Sequence, residues 1–143
     1  MTTFDSALEF VLRWEGGYVN HSTDPGGETN LGISKRKYPN EDIKNMTRER
    51  AAFLYRRDYW DVCNCDALSP GMALMAFDTA VNCGVKRAKA WLLAAKPKVN
   101  PLRSIAVSRA KHYALLDSLD DVFALGWYNR LFSCYDRAKE LEK

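Results

Sequence analysis

Glu15 ends a stretch with helical apolar spacing and is followed at once by Gly16-Gly17; Asp24 comes after eight intervening residues and Thr29 after four more. Two carboxyl groups and a hydroxyl, on segments that a glycine pair can fold toward one another, suit cleavage of an acetal bond between sugars. One acid protonates the leaving oxygen while a carboxylate across the ring steers water or balances the oxocarbenium-like charge. Thr29 is placed to hold the attacking water. Glu15 is the expected acid, because the carbonyl end of a helix and a partly apolar cleft beside Trp14 both favour the protonated form. Each residue also has a plain structural reading. An Asp before Pro-Gly-Gly suits an Asx-turn, a Thr suits a strand, and a Glu at a helix end is commonly just exposed. It is their combination with glycine hinges that points to chemistry.

The elements that must position these groups follow from local signals. Phe4, Leu8, Val11, Leu12 and Trp14 mark the apolar face of an opening helix that Thr2 or Thr3 can cap and Gly16-Gly17 ends. From Gly16 to Ile33 the periodicity gives way to turn chemistry, with β-favouring pieces at Tyr18-Val19 and Leu31–Ile33, so a small irregular hairpin is expected there. Thr47 can cap a helix running to about Trp60. Ser69 and Pro70 open the next, whose stretch from Met72 to Val81 is apolar nearly all round and predicts a buried central helix ending at Gly84. Further helices are expected over about 85–95, 102–116 and 121–141, with Pro97 and Pro101 bracketing the one linker. The expected class is mainly α (α+β), with a small β hairpin near the N-terminus.

A groove that binds a polysaccharide needs aromatic faces for stacking and amides to read hydroxyl and N-acetyl groups. Tyr18, Asn20, Asn30, Tyr59, Trp60 and Asn82 are the candidates, although a Trp such as Trp60 also suits a core. Asp78 and Asn82 share one face of the central helix. A buried polar pair there has to be satisfied, by the backbone of the β element or by ligand. His21 and His112 are too scattered to make a metal site, and no metal or cofactor is expected.

The chain has 143 residues and a formal net charge of +3. A chain this long buries roughly 68% of its unfolded surface, so it can hold a core without disulfides. Residues 1–30 carry five acids and one base and residues 31–60 eight bases and four acids, which sets an acidic segment beside a basic one. Solvated helix faces explain the basic part, and attraction to an anionic polymer is the sharper alternative. Binding of nucleic acid through Lys35-Arg36-Lys37 and Arg56-Arg57 is the weakest reading. Asp5, Glu9 and Arg13 interrupt any signal-like run, and no stretch is long and apolar enough to span a bilayer, so neither Sec export nor membrane insertion is expected. Cys63, Cys65, Cys83 and Cys134 fit free, mostly buried thiols.

Glu15-Gly16-Gly17-Tyr18-Val19-Asn20, then Asp24-Pro25-Gly26-Gly27-x-Thr29-Asn30-x-Gly32-Ile33, resemble the signature of glycoside hydrolase family 108. Tyr55-x3-Tyr59-Trp60 and Ala76-Phe77-Asp78-x-Ala80-Val81-Asn82-x-Gly84 resemble its later motifs, in order across residues 4–95. The Glu, Asp and Thr spacing is also similar to the triad of the T4-type phage lysozymes, with one residue fewer between Asp and Thr. The resemblance implies a lysozyme-like catalytic region over 1–95, with Glu15 as catalytic acid and Asp24 and Thr29 assisting. It further implies a C-terminal helical segment over 96–143, including Gly126-Trp127-x-Asn129-Arg130, that binds peptidoglycan or packs on the same core. The implied activity is that of a phage or prophage N-acetylmuramidase, cutting the β-1,4 bond between N-acetylmuramic acid and N-acetylglucosamine. A monomeric endolysin is expected, made in the bacterial cytoplasm and released to the periplasm and wall with the help of a holin. A lytic transglycosylase and a non-catalytic wall-binding or secretion-associated module are the alternatives.

Overall fold

Thr2 starts the first helix as expected. Its hydroxyl accepts from the Asp5 amide at 3.1 Å and the Asp5 carboxylate accepts from the Thr2 amide at 2.9 Å, a reciprocal cap that satisfies two otherwise orphaned donors. Helix α1 then runs Thr3–Glu15, burying Phe4, Ala7, Leu8, Phe10 and Val11, and stops at Gly16 with φ +72°. The computed structural model describes residues 1–20, 27–116 and 121–143, so the expectations for His21 and Asp24 fall outside the described residues.

Three short strands follow, β1 (Val19–Asn20), β2 (Glu28–Asn30) and β3 (Ile33–Ser34), in one antiparallel sheet of that order. Val19 lies opposite Thr29, and Asn30 opposite Ile33. Leu31 and Gly32 join β2 to β3 with φ of +51° and +77°, the two positive angles that a tight two-residue hairpin of right-handed twist requires. The side-chain amide of Asn30 donates to the carbonyls of Ile43 (3.0 Å) and Lys44 (3.3 Å), which ties β2 to the loop that follows the sheet.

Helix α2 (Arg48–Tyr55), capped by Thr47, continues into a π-helical turn over Arg56–Trp60. A short 3₁₀ turn, Cys65–Ala67, leads to α3 (Pro70–Cys83), and α4 (Val85–Ala95), α5 (Pro101–Leu115) and α6 (Asp121–Leu141) complete the chain. Every residue from Gly71 to Ala80 is buried, so α3 is the axis of the core. Complete burial of a Leu or Phe such as Leu74 or Phe77 stabilises by about 1.5–3 kcal/mol, and that burial holds α3. Ser69 occupies its N-cap position but makes no side-chain cap. Glu142, from the far end of the chain, caps it instead and accepts from the amides of Gly71 (2.7 Å) and Met72 (3.3 Å). Gly71 lacks a Cβ where one would strike the Ala138 carbonyl of α6.

Phe4, Trp60 and Phe77 meet edge to face, with ring centroids 5.2 Å apart for Phe4–Trp60 and 5.4 Å for Trp60–Phe77. Leu102, Ile105, Cys134 and Ala138 belong to the same apolar cluster as Phe4, Leu8 and Val11, so residues from 96–143 share the core of residues 1–95. All four cysteines are free and buried. Among the described residues no helix is long and apolar enough to cross a membrane.

Candidate active site

Glu15 is the last residue of α1, and the β2–β3 turn lies against its side chain. A Cβ on Gly32 would sit 2.9 Å from Cγ of Glu15 and would collide with the hydroxyl of Tyr55. That hydroxyl donates to the Leu31 carbonyl at 2.8 Å, pinning the strained turn onto α2. Burial, with the neighbouring charge of Glu15 adding to it, pushes the Tyr55 phenol far above its ordinary range, so it is a neutral donor at any relevant pH.

The Glu15 side chain is 23% exposed, and one of its oxygens is taken: Nη1 of Arg130 donates to Oε1 at 2.8 Å. Oε2 makes no hydrogen bond among the described residues. Arg130 comes from α6, and its other nitrogens face inward, where Nε and Nη2 donate to Oδ1 of Asp78 at 3.0 and 2.9 Å. Asp78 is fully buried on α3, and its Oδ2 lies 2.8 Å from Nη1 of Arg109, an equally buried residue of α5. That contact is an ion pair without hydrogen-bond alignment, and Nη2 of Arg109 has no acceptor among the described residues. Nη1 of Arg109 also donates to the Thr79 hydroxyl (3.2 Å) and Nε to the Tyr113 hydroxyl (2.7 Å), which donates in turn to Asn82 Oδ1.

Burial alone pushes the Asp78 carboxyl up, but Arg109 and then Arg130 outweigh it and hold the group below the usual carboxylate range. Burial works against the charge of Arg130, and Asp78 followed by Glu15 reverses that, so both arginines stay cationic. Four helices thus meet in one chain of charges: Glu15 of α1, Arg130 of α6, Asp78 of α3 and Arg109 of α5.

Thr29 is half-buried in the middle of β2, paired across to Val19 and Ser34. Tyr18 is 41% exposed and donates its hydroxyl to Oε2 of Glu28 at 2.8 Å, and Asn20 is exposed on β1, so both stand at the surface of the β element. Trp60 is corrected: it is completely buried and its Nε1 donates to Asp66 at 2.8 Å, where no sugar can reach the ring. Asn30 and Asn82 are likewise committed internally, the first to backbone carbonyls and the second to Tyr113. Tyr59 is half-buried, with Lys37 4.0 Å from its ring centroid and bonded to its hydroxyl. Among the described residues, Oδ1 of Asp78 accepts from Arg130 and Oδ2 pairs ionically with Arg109, while Oδ1 of Asn82 accepts from Tyr113. Arg109 carries no motif of its own and Arg130 stands in the sequence only within the Gly126-Trp127-x-Asn129-Arg130 segment; the signal for their role is Asp78, an acid in an apolar run that demands a buried cation.

A 590 Å³ groove between α1 and α6, lined by Ser6, Glu9, Arg13, Asp136, Arg137 and Glu140 among others, does not include Glu15. Its ion pairs, Arg13–Glu9 at 3.6 Å and Arg137–Glu140 at 3.2 Å, are solvated and close on themselves. No group of three or more potential metal ligands occurs among the described residues.

Residues 8–84 match the family model described as Glycosyl hydrolase 108. The solved structure of Brucella abortus SagA is similar, with a TM-score of 0.81 and 26% identity over 99% of this chain and 96% of that one. No curated protein matches.

Proposed function

Because this chain belongs to glycosyl hydrolase family 108 and has its lysozyme-like α+β fold, we propose that it is a peptidoglycan hydrolase in which Glu15 is the general acid. The observation that carries the reading is the carboxyl of Glu15, held at one oxygen by a buried guanidinium, on a side chain that lies against the Gly32 turn of the β element. The bond cut is the β-1,4 link between N-acetylmuramic acid and N-acetylglucosamine. Oε2 gives its proton to the glycosidic oxygen as the bond to the anomeric carbon breaks and the electron pair passes to that oxygen. The hydroxyl of a water adds to the anomeric carbon and the water's remaining proton goes to Asp24 or solvent, after which Glu15 is reprotonated. Asp24 balances the developing positive charge and Thr29 positions the water; Tyr18 and Asn20 contact the glycan. The protein acts as a monomeric phage or prophage endolysin, reaching the wall from the bacterial cytoplasm through a holin-type lesion.

Digestion of purified peptidoglycan with mass analysis of the released fragments tests this. The expected products carry one added water and N-acetylmuramic acid at the new reducing end. Anhydro products identify a transglycosylase, N-acetylglucosamine at the reducing end identifies the other glycosidic bond, and wall binding without release of sugar ends identifies a binding module; each of these overturns the reading.

A further inference from the structure

Two buried cations, Arg109 and Arg130, share one buried anion, Asp78, which leaves one unit of positive charge directly behind the carboxyl of Glu15. The guanidinium that carries it is fixed. All three nitrogens of Arg130 are engaged, Nε and Nη2 with Asp78 and Nη1 with Glu15, and its side chain is 8% exposed. A planar fork can hold both carboxylates at once, whereas the single nitrogen of a lysine cannot occupy the two edges together.

We propose that Arg130 is the positioning residue for the acid. It clamps Oε1 so that Oε2 carries the transferable proton toward the sugar, and its charge, set by Asp78 and Arg109, stabilises the carboxylate that forms as that proton leaves. This inference rests on the catalytic role given to Glu15 above. A donor aimed at charge that develops only in the transition state raises turnover without tightening ground-state binding. The charged and titratable groups around Glu15 are few among the described residues. They are Arg130 on α6 in direct contact, Tyr55 on α2 across the Leu31-Gly32 turn, Asp78 on α3 and Arg109 on α5 behind Arg130, and on α1 itself Arg13, which pairs with Glu9. Among the described residues only Arg130 forms an ion pair with the reacting carboxyl.

The test compares the wild type with Arg130→Met, which keeps the bulk and loses the charge, and Arg130→Lys, which keeps the charge and loses the fork. Kinetics on soluble peptidoglycan fragments are read as kcat, KM and pH profile, and the Glu15 carboxyl is followed by carbon-13 NMR, assigned with Glu15→Gln. Arg130→Met is expected to lower kcat by about 10²-fold with KM within about threefold. Removing a positive charge disfavours the carboxylate, so the Glu15 midpoint and the basic limb of the profile both move up, by about one to three pH units. Arg130→Lys should show a smaller change in the same sense in each. Wild-type kcat and basic limb in Arg130→Met, or a kcat loss with an unmoved Glu15 midpoint, overturns the proposal and leaves Arg130 a purely structural residue. Should Arg130→Met fail to fold, wild-type kcat and midpoint in Arg130→Lys overturn it equally. A wild-type protein that releases no sugar ends defeats the enzymatic reading instead, and the NMR midpoints, which need no substrate, still judge the coupling.

Discussion

Replacing Asp78 by Asn keeps the shape of the side chain and removes the one negative charge that Arg109 and Arg130 share. In the native protein that carboxylate is fully buried, takes two hydrogen bonds from Arg130 at 3.0 and 2.9 Å, and faces Arg109 at 2.8 Å. Removing one partner of a buried pair destabilises by about 3–5 kcal/mol, and here two pairs lose the same partner, which places the expected loss at the upper end. At about 3 °C per kcal/mol for a chain of this length, Tm should fall by roughly 10–15 °C, and kcat should fall with it as Arg130 loses its anchor. The pH dependence has a definite sign. Burial pushes the folded carboxyl up and the two arginines more than reverse this, so its folded value lies below the ordinary one. The stabilisation is therefore complete above about pH 4, the ordinary aspartate value, and is lost as pH falls through the lower folded value. Thermal unfolding of the two proteins from pH 3 to 8 should show a gap that is constant from pH 5 to 8 and narrows in acid. A loss of under about 3 °C at pH 7, or a gap that widens on acidification, refutes the placement of this charge at the centre of the core. The triple variant Asp78→Leu, Arg109→Met, Arg130→Met should recover most of the stability, because an apolar cluster replaces a costly ionic one, while activity stays lost.

Gly32→Ala forces a Cβ into the Tyr55 hydroxyl at φ +77°; a cost of about 1–3 kcal/mol in urea denaturation and a lower turnover from a displaced Glu15 are expected, and a variant with wild-type midpoint and rate counters this. Glu142→Ala removes the carboxylate that caps α3 at Gly71 and Met72, which should lower stability by about 1 kcal/mol, measured as a shift in denaturant midpoint with no change in kcat.

Local chemistry made much of this molecule legible. Thr2 with Asp5, Thr47, Pro70, Gly16 and Gly84 all act within a turn of where they stand, so α1 to α4 could be placed from neighbouring residues alone. The position of Glu15 at the end of α1, just ahead of the β element, follows from the same signals. What stayed hidden depends on partners far along the chain. Arg130 reaches a residue 115 positions away and Asp78 one 52 positions away, and no periodicity encodes which cation a buried acid will meet. Glu142 replaced Ser69 as a cap for the same reason. Trp60 was half legible: its type suits both stacking and burial, and the π-helical turn over Arg56–Trp60 has no residue signal that decides between them. The relation of Asp24 to Glu15 lies outside the described residues. Its separation predicts stereochemistry, with about 6.5–9.5 Å expected for inversion and near 5 Å for retention.

The most direct measurement is the rate of new reducing ends released from purified peptidoglycan by the wild type and by Glu15→Gln, with Tm recorded for both. The amide occupies the same space and has no proton to give, so the rate should fall by at least about 10²-fold while Tm stays within a few degrees. Release at the wild-type rate by a folded Glu15→Gln protein contradicts Glu15 as the proton donor.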